Sequence, residues 1–262
     1  MSEQGIVYFV GAGPGAVDLI TVRGARLLRH ADVVIYAGSL VDRQLVQTYA
    51  TRAQLYDSAG MALSEIVTVM LDAVADGKRV VRVHTGDPSI YGAIQEQMAA
   101  LDRLGIGYEV VPGVTSAFAA AAAIKQELTM PEVSQTVIIT RMEGRTPVPE
   151  REALRSLAGH GATLALYLSV GMIDTVVKEL LAGGAYTEAT PVAVVSRASW
   201  TDQQIVEGTL ADIAGRVRQA GIAKQAMILV GEALAARRNG MAAVSKLYDE
   251  GFSHGCREGI VV

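Results

Sequence analysis

The chain has 262 residues, half of them apolar, with 27 glycines, one cysteine and a formal net charge of −4. That length suits one large or two medium α/β domains with an ample core, and the charge excludes a globally basic nucleic-acid binder. The lone cysteine, Cys256, excludes an intrachain disulfide framework and fits a reducing compartment. With three Phe and one Trp, the core must rest on Ala, Val, Leu and Ile. The most apolar stretch, residues 117–124, is mostly Ala and far too short for a bilayer, which needs about 20 residues. The opening Met-Ser-Glu-Gln lacks a basic segment followed by a signal-peptide apolar region. The expectation is a soluble cytoplasmic protein with neither nucleic-acid nor membrane partners.

In chain order, residues 6–10 form a short buried strand that leads into Gly11-Ala12-Gly13-Pro14-Gly15. Residues 21–30 are predicted as a helix and 33–36 as a second strand. Ile66, Val67, Met70, Leu71 and Val74 have helical spacing within residues 64–76. Residues 80–83 make a third strand, 91–104 a helix, and 108–111 a fourth strand. Pro112-Gly113-Val114-Thr115-Ser116 caps an Ala-rich helix that starts at Ala117. Alternating strand and helix predicts a mostly parallel sheet with helices on its faces. Then the character shifts. Residues 127–134 are a loop, 136–140 a β-branched strand, and 141–150 a polar stretch with two prolines. The α/β pattern restarts at 162–168 and continues through 172–181, 191–195, 208–220 and 226–230. A boundary near 115–130 divides the chain into an N-terminal α/β domain of residues 1–120 and a C-terminal α/β domain of residues 121–236. A polar tail of residues 237–262, packed peripherally or partly disordered, completes it. The two halves do not repeat each other.

The most informative stretch is Val83-His84-Thr85-Gly86-Asp87-Pro88-Ser89-Ile90-Tyr91-Gly92. A buried strand runs here into a tight loop, and in open α/β sheets ligands bind beyond the carboxyl ends of strands. Gly86 lets a ligand approach the main chain, and Pro88 stiffens the exit. Asp87 places one carboxylate where it can hold an ammonium or a ribose hydroxyl; the alternative is a plain Asp-Pro turn.

The glycine loop invites a dinucleotide-binding reading, which two features oppose. Pro14 removes an N–H where the helix would begin donating to a pyrophosphate. The acidic residue expected about 20 residues on, at the end of the second strand, is missing, because that strand ends in Ala37-Gly38-Ser39. A tight turn and a loop facing a ligand without a pyrophosphate both remain open.

Several segments together resemble one family. Tyr8 to Gly15, Asp18-Leu19-Ile20-Thr21 and Ala31-Asp32-Val33-Val34-Ile35-Tyr36 resemble the opening of the tetrapyrrole methylases. Thr85-Gly86-Asp87-Pro88 and Val111-Pro112-Gly113-Val114-Thr115-Ser116 are similar to the family's next two signatures, and the matches cover residues 5–235. Val83 to Ile94, Phe118 to Ala123, Lys224-Gln225-Ala226-Met227-Ile228-Leu229 and above all Thr140-Arg141-Met142-Glu143-Gly144-Arg145-Thr146-Pro147-Val148-Pro149-Glu150 look most like the branch that methylates C11 of precorrin-4 or its cobalt form. Ser245-Lys246-Leu247-Tyr248 and Phe252-Ser253-His254-Gly255 in the tail also look like that branch.

The resemblance implies a two-domain α/β enzyme of cobalamin biosynthesis, a homodimer, with S-adenosyl-L-methionine folded in the cleft between the domains and released as S-adenosyl-L-homocysteine. Carried over by position, the cofactor contacts are Pro14, Thr85, Gly86, Asp87, Ile90, Thr115, Ser116, Leu168, Ala198 and Ala226. Relatives often have Met at the position of Leu168 and Gly at that of Ala198. Gly11 and Gly13 would border the tetrapyrrole, which accounts for Pro14, since this cofactor has no pyrophosphate.

The substrate that the resemblance implies is a polycarboxylate tetrapyrrole. Arg pairs with carboxylates through two donors, so Arg141 and Arg145 are the expected clamps, with Glu143 either orienting an Arg or simply solvated, and Lys125 and Arg197 as further candidates. A sulfonium is already a good leaving group, so positioning suffices and neither a nucleophilic side chain nor a metal is required. No Ser/His/Asp set or metal cluster is expected, because the four His and one Cys are scattered. No catalytic base is identifiable; His84 and Tyr91 flank the loop and are the candidates. Competing readings are a sibling enzyme acting at C20, C17 or the C2/C7 pair of uroporphyrinogen III, an NAD(P) oxidoreductase, and a tetrapyrrole carrier without catalysis.

Overall fold

A computed structural model describes residues 5–235, 240 and 245–260. The chain folds into two compact units, one of Met1–Ala119 with Arg197–Gln203, the other of Ala120–Ser196 with Gln204–Val262.

The first unit contains β1 (Val7–Gly11), α1 (Val22–Arg29), β2 (Val33–Tyr36), α2 (Arg43–Tyr49), β3 (Gln54–Asp57), α3 (Leu63–Ala75), β4 (Val80–His84), α4 (Gln95–Arg103) and β5 (Tyr108–Val111). All five strands are parallel, in the order β3-β2-β4-β1-β5. Alternation divides the sheet's side chains between two cores. Val10, Val34, Val81 and Val83 pack with Leu28 and Leu45 of α1 and α2. Val7, Phe9, Ile35 and Val80 pack with Met70 and Leu101 of α3 and α4. Each fully buried side chain of this size contributes about 1.5–3 kcal/mol. Local signals set the helix starts. Thr21 Oγ1 accepts from Gly24 N at 3.1 Å, Asp42 Oδ1 from Gln44 N at 2.8 Å, and Glu65 Oε2 from Ala62 N at 2.6 Å. Ordering the sheet this way brings the loops after β4, β1 and β5 side by side.

The helix α5 (Ser116–Ala123) carries the chain onward. The second unit contains β6 (Val137–Arg141), α6 (Leu154–Ala158), β7 (Thr163–Tyr167), α7 (Ile173–Ala182), β8 (Pro191–Ser196), β9 (Gln204–Thr209), α8 (Ile213–Gln219) and β10 (Ala226–Val230). Its strand order is β6-β7-β10-β8-β9. Leu164, Leu166, Val192, Val194, Ile228 and Val230 form its core with Ile173, Val176, Leu180, Ile213 and Val217.

The α/β architecture expected from the sequence is present, with differences in detail. Only β6 and β7 pair in parallel in the second sheet; β10 and β9 run against their neighbours. The connection from β8 to β9 holds no crossover helix, so the two form an antiparallel pair. The helix expected over 91–104 begins only at Gln95, because Tyr91 and Ala93 hold φ of 54° and 48°, which no right-handed helix contains. Residues 208–220 are the end of β9 and then α8. β3 and β9 escaped detection because both are edge strands that mix polar and apolar residues and bury none of them fully. In the tail, Arg257 donates to the carbonyls of Leu247, at 3.0 Å, and Asp249, closing a compact turn; the tail residues expected at 237–239, 241–244 and 261–262 lie outside the described ones. Among the described residues no helix is long and apolar enough to cross a membrane.

Candidate active site

Three loops meet at the carboxyl ends of β4, β1 and β5, and they meet through backbone. Gly13 N donates to Gly86 O at 3.2 Å and Gly86 N to Gly13 O at 2.8 Å, while Ala12 N donates to His84 O at 2.7 Å. A Cβ on Gly11 would come 2.6 Å from Gly86 O and 2.7 Å from Gly113 Cα, so side chains are excluded where the loops cross. Gly86 holds φ of 59°, which L side chains rarely adopt. Asp87 ties two of the loops: Oδ2 accepts from Gly113 N and Oδ1 from Ser89 N, both at 2.8 Å. The carboxylate singled out in the sequence therefore organises main chain.

Of the expected cofactor residues, Pro14, Gly86 and Thr115 are buried, Asp87, Ile90 and Ser116 half-buried, and Thr85 exposed. All stand in these loops, so the fold brings seven of them together in one unit. Ser116 opens α5, and the Thr115 carbonyl accepts from Ala119 N at 3.2 Å. No Lys or Arg occurs in residues 11–16, 84–92 or 111–116. The only charged side chain in these stretches besides His84 is therefore the Asp87 carboxylate.

Beneath the Thr-Gly-Asp loop, Arg82 and His84 project from β4 into the α3/α4 core. Arg82 is buried; Nε donates to Gln97 Oε1 at 3.2 Å and Nη1 to Ser58 Oγ at 2.9 Å. Burial lowers its pKa to about 10. His84 is 5 % exposed, its ring lies 6.0 Å from that of Phe9, and its Nε2 has no hydrogen-bond partner among the described residues. Burial first, and then the Arg82 charge, lower its pKa from 6.5 to about 3. His84 is thus a neutral imidazole near neutrality, poorly suited to carrying a proton. Tyr91, the other candidate, is 47 % exposed on a left-handed residue.

The depressed pKa has a measurable consequence. Between about pH 3 and 6.5 the unfolded chain binds a proton at His84 that the folded chain refuses, so stability falls as pH drops through this window and is unaffected above it. The expected loss at pH 5 is about 2 kcal/mol relative to pH 8. His84→Gln should remove that contribution. Melting temperatures from pH 5 to 8 test this; parallel curves for the two proteins would contradict it.

In the second unit, the remaining candidates converge on one end of the sheet. β6 ends at Arg141, β7 at Tyr167 just before Leu168, and β10 begins at Ala226, opposite Ser196 at the end of β8. Leu168 (φ 55°) and Gln225 (53°), at this end of the sheet, are left-handed without being glycine, and so, in the segment assigned to the first unit, are Arg197 (49°) and Ser199 (70°). Leu168 is also 68 % exposed, an unusual pairing for a leucine. Ala198, buried just beyond β8, belongs to the segment assigned to the first unit. Arg141 is turned to its own loop, with Nη2 donating to Pro147 O at 2.8 Å and Nη1 to Thr146 O at 3.2 Å. Glu143 and Arg145 are exposed and make no hydrogen bond or ion pair with other described residues. Among the described residues no group of three or more His, Cys, Asp or Glu is placed to hold a metal.

Trp200 is a site neighbour that sequence reasoning missed. Its Nε1 donates to Pro14 O at 2.8 Å across 186 positions, and Ala16 N donates to Ser199 Oγ at 3.0 Å. A lone tryptophan outside any motif carries no local signal for so distant a contact.

The sequence pattern of the Tetrapyrrole (Corrin/Porphyrin) Methylases matches residues 6–214. A cobalt-precorrin-4 C(11)-methyltransferase of Methanocaldococcus jannaschii is 58 % identical over 98 % of each chain. A precorrin-4 C(11)-methyltransferase of Mycobacterium tuberculosis is 52 % identical over 88 % of this chain and 92 % of its own. The X-ray structure of a cobalt precorrin-4 methyltransferase superimposes with a TM-score of 0.87 at 53 % identity, covering 89 % of this chain and 98 % of the other. Uroporphyrin-III C-methyltransferase of Thermus thermophilus, solved with S-adenosylhomocysteine, gives 0.75 at 31 % identity over 88 % and 100 %. The chain belongs to the tetrapyrrole (corrin/porphyrin) methylases.

Proposed function

We propose that the protein transfers a methyl group from S-adenosyl-L-methionine to C11 of precorrin-4, in its cobalt or metal-free form, within cobalamin biosynthesis. The observation that carries this reading is the near full-length identity to C11-methyltransferases, joined to a main-chain loop set that is free of basic residues. The reading includes a cytoplasmic homodimer and the domain division at residue 120, with a tail from residue 237.

When bound, the cofactor supplies an electrophilic methyl on a sulfonium, whose departure as a neutral thioether leaves the new C–C bond on the ring. The protein's task is to hold the reacting carbon about 3 Å from that methyl and in line with the C–S bond. Gly86 and Gly113 open the backbone to the ligand, and Asp87 locks their separation through Gly113 N. Thr85, exposed at the loop crest, and Ser116, at the start of α5, offer hydroxyls to the cofactor. Arg145 is free to take a substrate carboxylate, and Arg141 holds the 146–147 carbonyls that shape its loop. His84 stands as a buried neutral side chain beneath the loop.

Calorimetric titration with S-adenosylhomocysteine tests the cofactor. Micromolar binding is expected; no binding to the folded protein would overturn the methyltransferase reading in favour of a carrier.

A further inference from the structure

Residues Arg197–Gln203, between β8 and β9, belong to the first unit; apart from Ala198, an expected cofactor contact, and Arg197, a candidate for the substrate's carboxylates, nothing in the chemistry above uses them. They form a clasp on the glycine loop. Trp200 Nε1 and Ser199 Oγ grip that loop from two sides, at Pro14 O and Ala16 N. The indole also fills the space in front of Gly15: a Cβ there would lie 2.9 Å from Trp200 Cγ and still closer to Cδ1 and Nε1. Behind the indole, the Arg197 guanidinium stacks 4.2 Å from the ring centroid. Arg197 Nε lies 3.0 Å from Asp202 Oδ1 but off the line of a hydrogen bond, so it is held as an ion pair only. Ser199 N donates to Gln203 Oε1 at 2.7 Å, which fixes the turn. Two residues of the clasp, Arg197 and Ser199, hold strained left-handed backbones.

The clasp connects onward. Pro14 follows Gly13, Gly13 exchanges two hydrogen bonds with Gly86, and Asp87 binds Gly113 N. We propose that Trp200 is a positioning residue for methyl transfer: by anchoring the glycine loop it fixes where the Thr85–Asp87 and Gly113 loops stand. This rests on the reading of those loops as the cofactor site. Without the indole donor, the Pro14 carbonyl turns to water and the loop loses its only side-chain anchor at that residue among the described contacts. A ring kept without its N–H leaves the stack on Arg197 intact, which separates anchoring from simple packing.

Because Trp200 is the one tryptophan, the wild-type protein reports on the clasp without alteration. Its emission is expected to shift on addition of S-adenosylhomocysteine and to saturate at the calorimetric Kd. Trp200→Phe should weaken S-adenosylhomocysteine binding at least fivefold with the melting temperature little changed. Gly15→Ala, whose methyl displaces the ring, should do the same and move the emission to the red before ligand is added. Trp200→Phe and Gly15→Ala proteins that bind within twofold of wild type would overturn the proposal, as would emission indifferent to saturating ligand. Absence of binding by the wild type itself would remove the cofactor reading and this inference with it, an outcome distinct from normal binding by all three proteins.

Discussion

Gly113→Ala is expected to lower S-adenosylhomocysteine affinity at least a hundredfold, about 2.7 kcal/mol. The added methyl would lie 2.9 Å from Gly11 Cα and closer still to the Gly86 carbonyl oxygen. Both obstacles are backbone, so neither can turn aside as a flexible side chain would. The three loops must spread, and the hydrogen bond from Gly113 N to Asp87 is strained or lost with them. Overpacking of this kind costs about 1–3 kcal/mol in stability, so the protein should still fold. Gly107→Ala is the matched control. It lies just before the same strand, β5, and a Cβ there meets nothing within 4 Å. Calorimetry on both variants checks this. Equal binding by the two would show that the close approach of the loops has no bearing on the ligand.

Asp87→Ala is expected to weaken the same ligand tenfold or more, at least about 1.4 kcal/mol. It strips the acceptor from two main-chain donors, Ser89 N and Gly113 N. Hydrogen bonds to charged groups are worth about 1.5–3 kcal/mol each, so the melting temperature should fall as well. Asp87→Asn keeps one carbonyl oxygen and turns an amide N–H2 toward the other donor. It should fall between wild type and Asp87→Ala in both measurements. Ligand affinity unchanged beside a lowered melting temperature would confine Asp87 to the fold and remove it from the site.

The strands and helices that build the first core were legible because their apolar residues repeat with the right period. Val80 to Val83 and Ile66, Met70 and Val74 are examples that pack as their spacing implies, whereas Val67 and Leu71 lie outside that core cluster. The edge strands β3 and β9 were not legible, since an edge buries little and carries no alternation. Nor was the turn at Tyr91 and Ala93, where left-handed backbone interrupts a pattern that reads as helix. In the site, Gly86, Asp87 and Gly113 stood out as loop residues, but their mutual contacts depend on strand order, which places β4, β1 and β5 side by side. The contacts of Arg141 were equally illegible: its charge pointed to a carboxylate partner, and nothing local showed that it also reaches the carbonyls of Thr146 and Pro147. Trp200 lay wholly outside local reasoning, because its partner is made a neighbour only by the fold.

The most direct test of the function is to incubate the wild-type protein with cobalt-precorrin-4 and S-adenosylmethionine carrying a 13C methyl group, and to locate the label by NMR. A single labelled methyl at C11 is the expected result. A label at C17 or C20, or none on the ring while S-adenosylhomocysteine binds normally, would contradict it.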